Sequence, residues 1–410
     1  MTAAVSPLAP AGFPVLSPLP GVRLAAYAAG IRYTGRDDLM LAELAPGSTV
    51  AGVFTRSLTA GAPVLWCREC LPGGEIRGIV VNSGNANVFT GRAGREAVAA
   101  TAAAAARLLG CGPHQVFVAS TGVIGEKLPA EKIVAALPHA AAHLSPTGWE
   151  GAARAIMTTD TFPKGAAATA EIDGVAVHLN GFAKGSGMIA PDMATMLAYV
   201  FTDAALPAAV LQPLLAEAAD GSFNSITVDG DTSTSDTLLL CATGQARHRP
   251  VTNAADPRLA GFRRALEGVA VDLAQQVVRD GEGAQKFVTI EVTGAESAPA
   301  ARRIGLTIGN SPLVKTALAA GDANWGRIVM AVGRAGEKAD RDRLSISVGG
   351  TAIVTRGEPV AGYDEAPVAR HMAGREILIA VDLGIGSGRA TVWTCDLTHG
   401  YIDINGSYRS

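Results

Sequence analysis

Short apolar runs broken by turn-forming residues open the chain. Val22-Arg23-Leu24-Ala25-Ala26-Tyr27 and Leu39-Met40-Leu41-Ala42-Glu43-Leu44 predict two strands joined by a turn at Gly35-Arg36-Asp37-Asp38. Ala51-Gly52-Val53-Phe54-Thr55-Arg56 predicts a third. Ile79-Val80-Val81 and Val116-Phe117-Val118-Ala119 are fully apolar, as buried strands are. Each runs straight into a polar, glycine-bearing stretch, Asn82-Ser83-Gly84-Asn85-Ala86-Asn87 and Ser120-Thr121-Gly122-Val123-Ile124-Gly125, which predicts a turn or loop. Between them, alanine-rich 93–109 predicts a helix. A helix end is expected at 152–157, then a hairpin about Asp173-Gly174. Leu197-Ala198-Tyr199-Val200-Phe201 is a buried strand or a helix start. An amphipathic helix is predicted at 208–220, with Pro213 as a candidate for its true start. Another helix covers 259–278. From Phe287 onward strand and helix patterns alternate in a smaller unit, which puts a domain boundary near residue 286.

Composition narrows the classes. The 410 residues leave room for two to three domains. A net charge of −3 with 17% charged residues gives no electrostatic footprint for nucleic acid. No apolar run approaches the ~18 residues of a membrane span. The first basic residue is Arg23, after four prolines in the first nineteen positions; this predicts neither a secretory signal nor a transit peptide, and a cytoplasmic protein. Five cysteines make no disulfide framework, and Cys67-Arg68-Glu69-Cys70 lacks a second pair for zinc, so it reads as structural. His139 and His143 have only alanines where a metalloprotease helix carries its glutamate; no metal is expected.

Candidate chemistry concentrates in a few stretches. In Lys184-Gly185-Ser186-Gly187-Met188-Ile189-Ala190-Pro191-Asp192-Met193-Ala194-Thr195-Met196-Leu197, a cation and two glycines lead to a threonine between apolar residues. Thr195 is either a plain strand residue or a nucleophile where a loop meets a rigid element. Gly185-x-Gly187-x-x-Ala190 also fits a relaxed dinucleotide fingerprint, but Pro191 does not suit the helix turn that should follow. Thr121-Gly122 could aim a hydroxyl and an N–H at a developing oxyanion, or be a structural turn. Thr158-Thr159-Asp160-Thr161 suits an amino-acid head group or a solvated cap. Glu282, between Gly281 and Gly283, is sterically open toward a ligand, or is a turn carboxylate in water. The hydroxyl-rich run 222–237 is a solvated loop or a site wall.

Lys184–Leu197 resembles the Lys-Gly-x-Gly-Met-Ile-x-Pro-x-Met-Ala-Thr-Met-Leu segment of the ornithine acetyltransferase (glutamate N-acetyltransferase) family throughout. The run Asn82–Asn87 is similar too, although Val88-Phe89 follows where the family commonly has a small residue and cysteine. So are Asp229-Gly230-Asp231-Thr232-Ser233-Thr234-Ser235-Asp236-Thr237, Asn310–Ala317 and Asp322–Arg327. The likeness spans residues 20–410.

It implies an α/β fold of stacked sheets between helical layers, α-β-β-α-like, with a catalytic domain over 1–286 and a smaller C-terminal α/β domain over 287–410 whose tail reaches the site. It implies self-cleavage at Ala194–Thr195, which frees Thr195 as a nucleophile with its own α-amine as base. Thr121 and Gly122 would hold the oxyanion. Thr158, with Thr159 its rival, would bind substrate together with Lys184, Thr195, Glu282, Asn405 and Ser410. The implied activity moves the acetyl group of N-acetylornithine to glutamate in arginine biosynthesis through acetyl-Thr195. No cofactor is implied, and acetyl-CoA remains open as a second donor. The implied assembly is a heterotetramer of two cleaved α/β pairs. A self-cleaving aminopeptidase or amidohydrolase, and a non-catalytic binding paralogue, are the rival readings.

Overall fold

The computed structural model describes residues 4–190 and 196–406. Its described strands form three sheets. In the first, β1 (Val22–Tyr27), β2 (Leu39–Leu44), β4 (Gly78–Asn85) and β5 (Val116–Val123) lie in the order β1-β2-β4-β5. In the second, the order is β3 (Thr49–Phe54), β9 (Thr237–Ala242), β8 (Leu197–Thr202), β7 (Val175–Lys184), β6 (Lys164–Ile172).

Alternation along each strand shows how the layers stack. Leu39 and Leu41 join a core with helices Gly91–Leu109 and Ala130–Ala142, whereas Met40, Ala42 and Leu44 turn toward the second sheet. There Leu197, Tyr199 and Phe201 meet them, while Ala198 and Val200 pack on helices Ala208–Asp220 and Ala260–Arg279. The result is a helix–sheet–sheet–helix stack. Both sheets are covered on both faces, which is why their strands read as continuous apolar runs.

Three local expectations need correction. β4 and β5 do not stop at Val81 and Ala119. They continue in parallel through their polar ends, with Ser83 opposite Thr121 and Gly84 opposite Gly122. Those polar side chains find buried partners, which lets the strands go on: Ser120 Oγ donates to Asn82 Oδ1 at 2.6 Å, and Ser83 Oγ to the Ala155 carbonyl at 2.8 Å. The third concerns Pro213, which lies inside its helix rather than at the start. Val210, Leu211, Leu214 and Leu215 form one buried face across it, and that packing holds the turn before the proline. The hairpin turn takes positive φ at both Asp173 (56°) and Gly174 (78°), as a two-residue turn matched to the twist of its strands requires.

The third sheet starts at Phe287. It runs in the order β13 (Glu358–Pro359), β12 (Thr351–Thr355), β11 (Ser345–Val348), β14 (Glu376–Asp382), β10 (Phe287–Ala295), β15 (Gly388–Cys395). Val288, Ile290 and Val292 form its core with helices Ala298–Gly309 and Trp325–Gly333. Phe287, Trp393 and Cys395 instead enter the core beneath the second sheet's helices, so this unit docks by its own first and last strands. Beyond β15 the helix His399–Gly406 returns to the turn that follows helix Ala260–Arg279, where Asn405 meets Glu282. No helix among the described residues is long and apolar enough to cross a membrane.

Candidate active site

The site is built on buried charge. β7 ends at Lys184 and β6 begins at Lys164, both almost fully buried. Lys164 Nζ lies between two carboxylates, 2.7 Å from Asp160 Oδ1 and 2.6 Å from Asp280 Oδ2. Asp160 also accepts the Gly185 N–H at 2.6 Å and the Thr158 N–H at 3.0 Å, and Lys184 Nζ stands 3.8 Å from its Oδ2. Burial alone would raise the Asp160 carboxyl; Lys164, Lys184 and the Thr158 amide together hold it well below the usual carboxylate range. Asp280 has Lys164 and Thr161 for partners, and there burial wins and pushes the carboxyl up. Burial also lowers Lys184, with Lys164 adding to the effect and Asp160 opposing it.

Lys184 transmits this arrangement to the reaction space. Its Nζ donates to Thr158 Oγ1 at 2.8 Å and Thr121 Oγ1 at 3.3 Å. A threonine hydroxyl that accepts from a lysine keeps its own hydrogen free to donate elsewhere. Both threonines therefore present O–H donors to the adjoining cavity. Beside Thr121, Gly122 has φ 129°, and a Cβ there would lie 2.3 Å from the Gly84 carbonyl carbon, so no side chain fits.

The opposite wall comes from the end of the second sheet's long helix and from the C-terminal helix. Glu282 is 8% exposed, and its N–H donates to the Ser186 carbonyl at 3.0 Å. Gly187 lies flat against its carboxylate; a Cβ would sit 2.4 Å from Glu282 Cδ. Asn405 Nδ2 donates to Glu282 Oε2 at 2.7 Å. Thr398 Oγ1, donating to the Gly283 carbonyl at 2.7 Å, and Tyr401, whose hydroxyl reaches Asp229 Oδ2 at 3.3 Å, pin the same helix. Asp229 in turn accepts the N–H groups of Met188 (2.6 Å) and Ile189 (3.0 Å), and this holds Met188 at φ 55°, a strained value for a side-chain-bearing residue.

Together these walls enclose a cavity of about 230 Å3, lined by Thr121, Gly122, Thr158, Lys184, Glu282 and Asn405. Thr159, whose Oγ1 is 2.8 Å from Ser186 Oγ, and Ser233, Thr234 and Ser235 of the hydroxyl-rich run also line it, with Ala86, Val123, Ile124 and Met188 as its apolar part. Ala194, Thr195 and Ser410 lie outside the described residues. The amides of the 82–87 run turn inward: Asn85 Nδ2 donates to the Glu126 carbonyl and Asn87 Nδ2 to the Gly94 carbonyl. Cys67 and Cys70 are free and buried; Cys67 Sγ donates to the Val118 carbonyl, and burial pushes the Cys70 thiol up to about 12. His139 stacks on Tyr27, away from the cavity. Lys164, Asp280, Asp229 and Asp236 were not singled out by sequence reasoning. Asp229 and Asp236 stand in the run 229–237 that resembles the family, whereas the one signal at Lys164 and Asp280 is placement, each a charge beside an apolar or glycine-rich run.

The parts define a four-layer α/β protein with a small cavity that has one ammonium, one carboxylate and several hydroxyls. The chain belongs to the ArgJ family, whose model matches residues 23–410. It is 63% identical to the arginine biosynthesis bifunctional protein ArgJ of Gluconobacter oxydans, over 99% of this chain and 96% of that protein. Its identity to the protein of the same name from Brucella suis is 57% over the full length of both. Among solved structures it is similar to the arginine biosynthesis bifunctional protein ArgJ of Bacillus halodurans, 39% identical with a TM-score of 0.49, over 50% of this chain and 96% of that one.

Proposed function

We propose that this chain is an acetyltransferase of arginine biosynthesis that moves the acetyl group of N-acetylornithine to glutamate through an ester on Thr195. The observation that carries the reading is the shared cavity: Thr121, Gly122, Thr158, Lys184, Glu282 and Asn405, from five distant parts of the chain, line one space. Self-cleavage at Ala194–Thr195 supplies the nucleophile. The freed α-amine takes the Thr195 hydroxyl proton as the oxygen attacks the acetyl carbonyl. The Thr121 hydroxyl and the Gly122 N–H receive the negative oxygen that forms. The tetrahedral intermediate collapses, the carbon–nitrogen bond breaks, and the proton passes from the amine to the departing ornithine nitrogen. Glutamate then enters the same space, its amine attacks the ester, and Thr195 is regenerated. Lys184 suits the α-carboxylate that both substrates carry, and Glu282 suits the cationic end of ornithine. The reaction itself needs no cofactor; acetyl-CoA enters only as an alternative donor. The working form is a cytoplasmic assembly of two cleaved pairs.

The test is kinetic order with direct detection of the ester. Varying glutamate at several N-acetylornithine concentrations should give parallel double-reciprocal lines. Labelled ornithine should exchange into N-acetylornithine without glutamate. The 195–410 fragment should gain about 42 Da, one acetyl group, on brief exposure to the donor. Release of acetate to water instead would make the chain a hydrolase. Intersecting lines, no exchange and an unmodified fragment would mean direct transfer.

A further inference from the structure

Four strands end the first two sheets, and three of those edges are stapled from outside. On β1, Leu24 exchanges two backbone hydrogen bonds with Ser145, each 2.9 Å. On β3, the Gln212 amide takes both backbone groups of Gly52 at 3.0 Å. On β5, Trp66 Nε1 and Cys67 Sγ donate to the carbonyls of Val116 and Val118. β6 is different. The Gln276 amide holds both backbone groups of Gly165, at 3.2 and 2.8 Å, so Gly165 and every second residue after it turn their N–H and C=O outward. The next two in that row, Ala167 and Thr169, have no partner for these groups among the described residues. The register is unbroken through Ile172, and Ala166–Ile172 holds no proline, lysine or bulge, the usual guards of a free edge.

The helix Ala260–Arg279 runs antiparallel beside this edge. Its Gln276 meets Gly165, and its Gly261 meets Glu171, where a Cβ would stand 3.5 Å from the carbonyl oxygen. Halfway between those two contacts lie Ala168 on the strand and Gly268 on the helix, and an open groove of about 790 Å3 is lined by both. Along the groove the helix presents Arg264, Gly268 and Asp272, all exposed and spaced four apart, hence on one side. A Cβ on Gly268 would meet nothing within 4 Å. Ala167 and Thr169 are symmetric about Ala168, and the opposite charges of Arg264 and Asp272 are symmetric about Gly268, so a single two-fold axis suits both elements. We propose that a second copy of the chain docks on this face, β6 against β6 and antiparallel. Ala167 then exchanges both backbone hydrogen bonds with Thr169 of the partner subunit. Arg264 meets Asp272 of the partner subunit across the glycine, where the two helices can approach closely. Ala168 and Ala170, whose side chains face the helical layer, enter the groove of the facing copy. Such a contact is self-complementary and closes on itself. The proposal gives a surface to the reading that two copies assemble; it rests on that reading and not on the chemistry at Thr195.

A cysteine at the axis tests the register. Ala168 faces its own copy as a non-hydrogen-bonded pair, with Cα atoms about 4.5 Å apart, within the span that a disulfide bridges. Mild oxidation of Ala168→Cys should therefore give a reducible band at twice the mass of the chain or fragment that carries residue 168. Ala170→Cys, whose two copies are offset by four residues in this register, should give none, and neither should the wild type with its own cysteines. Charge reversal tests the helix row. In sedimentation the wild type should run as two copies, and Arg264→Asp should shift it toward one. Arg264→Asp combined with Asp272→Arg should restore the pair, which a merely structural role for either residue would not do. No cross-link at Ala168→Cys, or one as strong at Ala170→Cys, would overturn this surface even in a protein of two copies, and would leave the assembly reading standing. A wild type that sediments as one copy would overturn both.

Discussion

The two walls of the cavity are built in opposite ways. On the inner side Asp160, Lys164, Asp280 and Lys184 form a buried network in which every carboxylate has at least one lysine and one N–H partner. On the outer side Glu282 meets the C-terminal helix through one direct hydrogen bond, from Asn405. The inner network spans three chain segments and cannot yield without stranding a charge. The outer contact can be made or lost at small cost. The proposed transfer, with two substrates in turn, would use both: a fixed floor for Thr121 and Thr158, and a wall that admits ornithine and glutamate alternately. On this view, inner substitutions strike folding or turnover, and outer ones strike binding.

Lys164→Met would break the comparison most severely. It leaves buried Asp280 without a cation and Asp160 with Lys184 alone, a loss of about 3–5 kcal/mol for removing one partner of a buried pair. Denaturant unfolding should show it, most strongly at neutral pH and above. Without Lys164 the Asp280 carboxyl, already raised by burial, is raised further above the unfolded value of about 3.9, so the folded chain binds more protons and loses stability as pH rises through that range. The penalty should therefore shrink between pH 8 and pH 5. The wild type carries the opposite sign at Asp160, whose depressed carboxyl stabilises the fold above the unfolded pKa and loses that contribution only in stronger acid. A penalty independent of pH would show that Lys164 acts through packing rather than charge.

Thr121→Val comes next, because it removes the proposed oxyanion donor while leaving its shape in β5. The loss of one such donor costs about 10²–10³ in kcat, and KM should barely move. A variant that raises KM instead would place Thr121 among the binding groups.

The inner wall was largely hidden in the sequence, and the reason is physical. Lys164 precedes an alanine-rich strand and Asp280 follows a helix; either position suits a solvated charge, and only the packed layers show that both face the same interior. The strand Leu39–Leu44 and the hairpin at Asp173-Gly174 were legible because an apolar run and turn chemistry are local. β4 and β5 were read too short for the converse reason. Polar residues look like loop until a cross-strand partner such as Asn82 for Ser120 is in place. Thr121, Gly122, Thr158, Lys184, Glu282 and Asn405 were named through family resemblance, not spacing; that they meet is a property of the fold.

Glu282→Gln sharpens the outer half. The amide keeps the shape against Gly187 and loses the charge. Hydrogen bonds to charged groups are worth about 1.5–3 kcal/mol, so KM for N-acetylornithine should rise some thirtyfold with chain cleavage intact. Glutamate, which carries no cation at its far end, should be affected less. Equal effects on both substrates would remove Glu282 from the recognition of the ornithine amine.

Asn405→Ala should have the smallest effect, and it asks whether the outer wall is as yielding as its contacts suggest. The residue is exposed apart from the bond to Glu282 and a second from its Nδ2 to the Tyr401 carbonyl at 3.0 Å. The helix that carries it is also tied down by Thr398 and Tyr401, so it should stay docked. What goes is one donor to Glu282, worth about 1 kcal/mol net. A severalfold rise in KM is the expected result, with kcat and the unfolding midpoint unchanged. Combining it with Glu282→Gln gives the decisive number. If Asn405 acts only by orienting that carboxylate, the double variant should be no worse than Glu282→Gln alone. Additive losses would mean that Asn405 contacts substrate in its own right, and that the outer wall holds its ligand at two separate points.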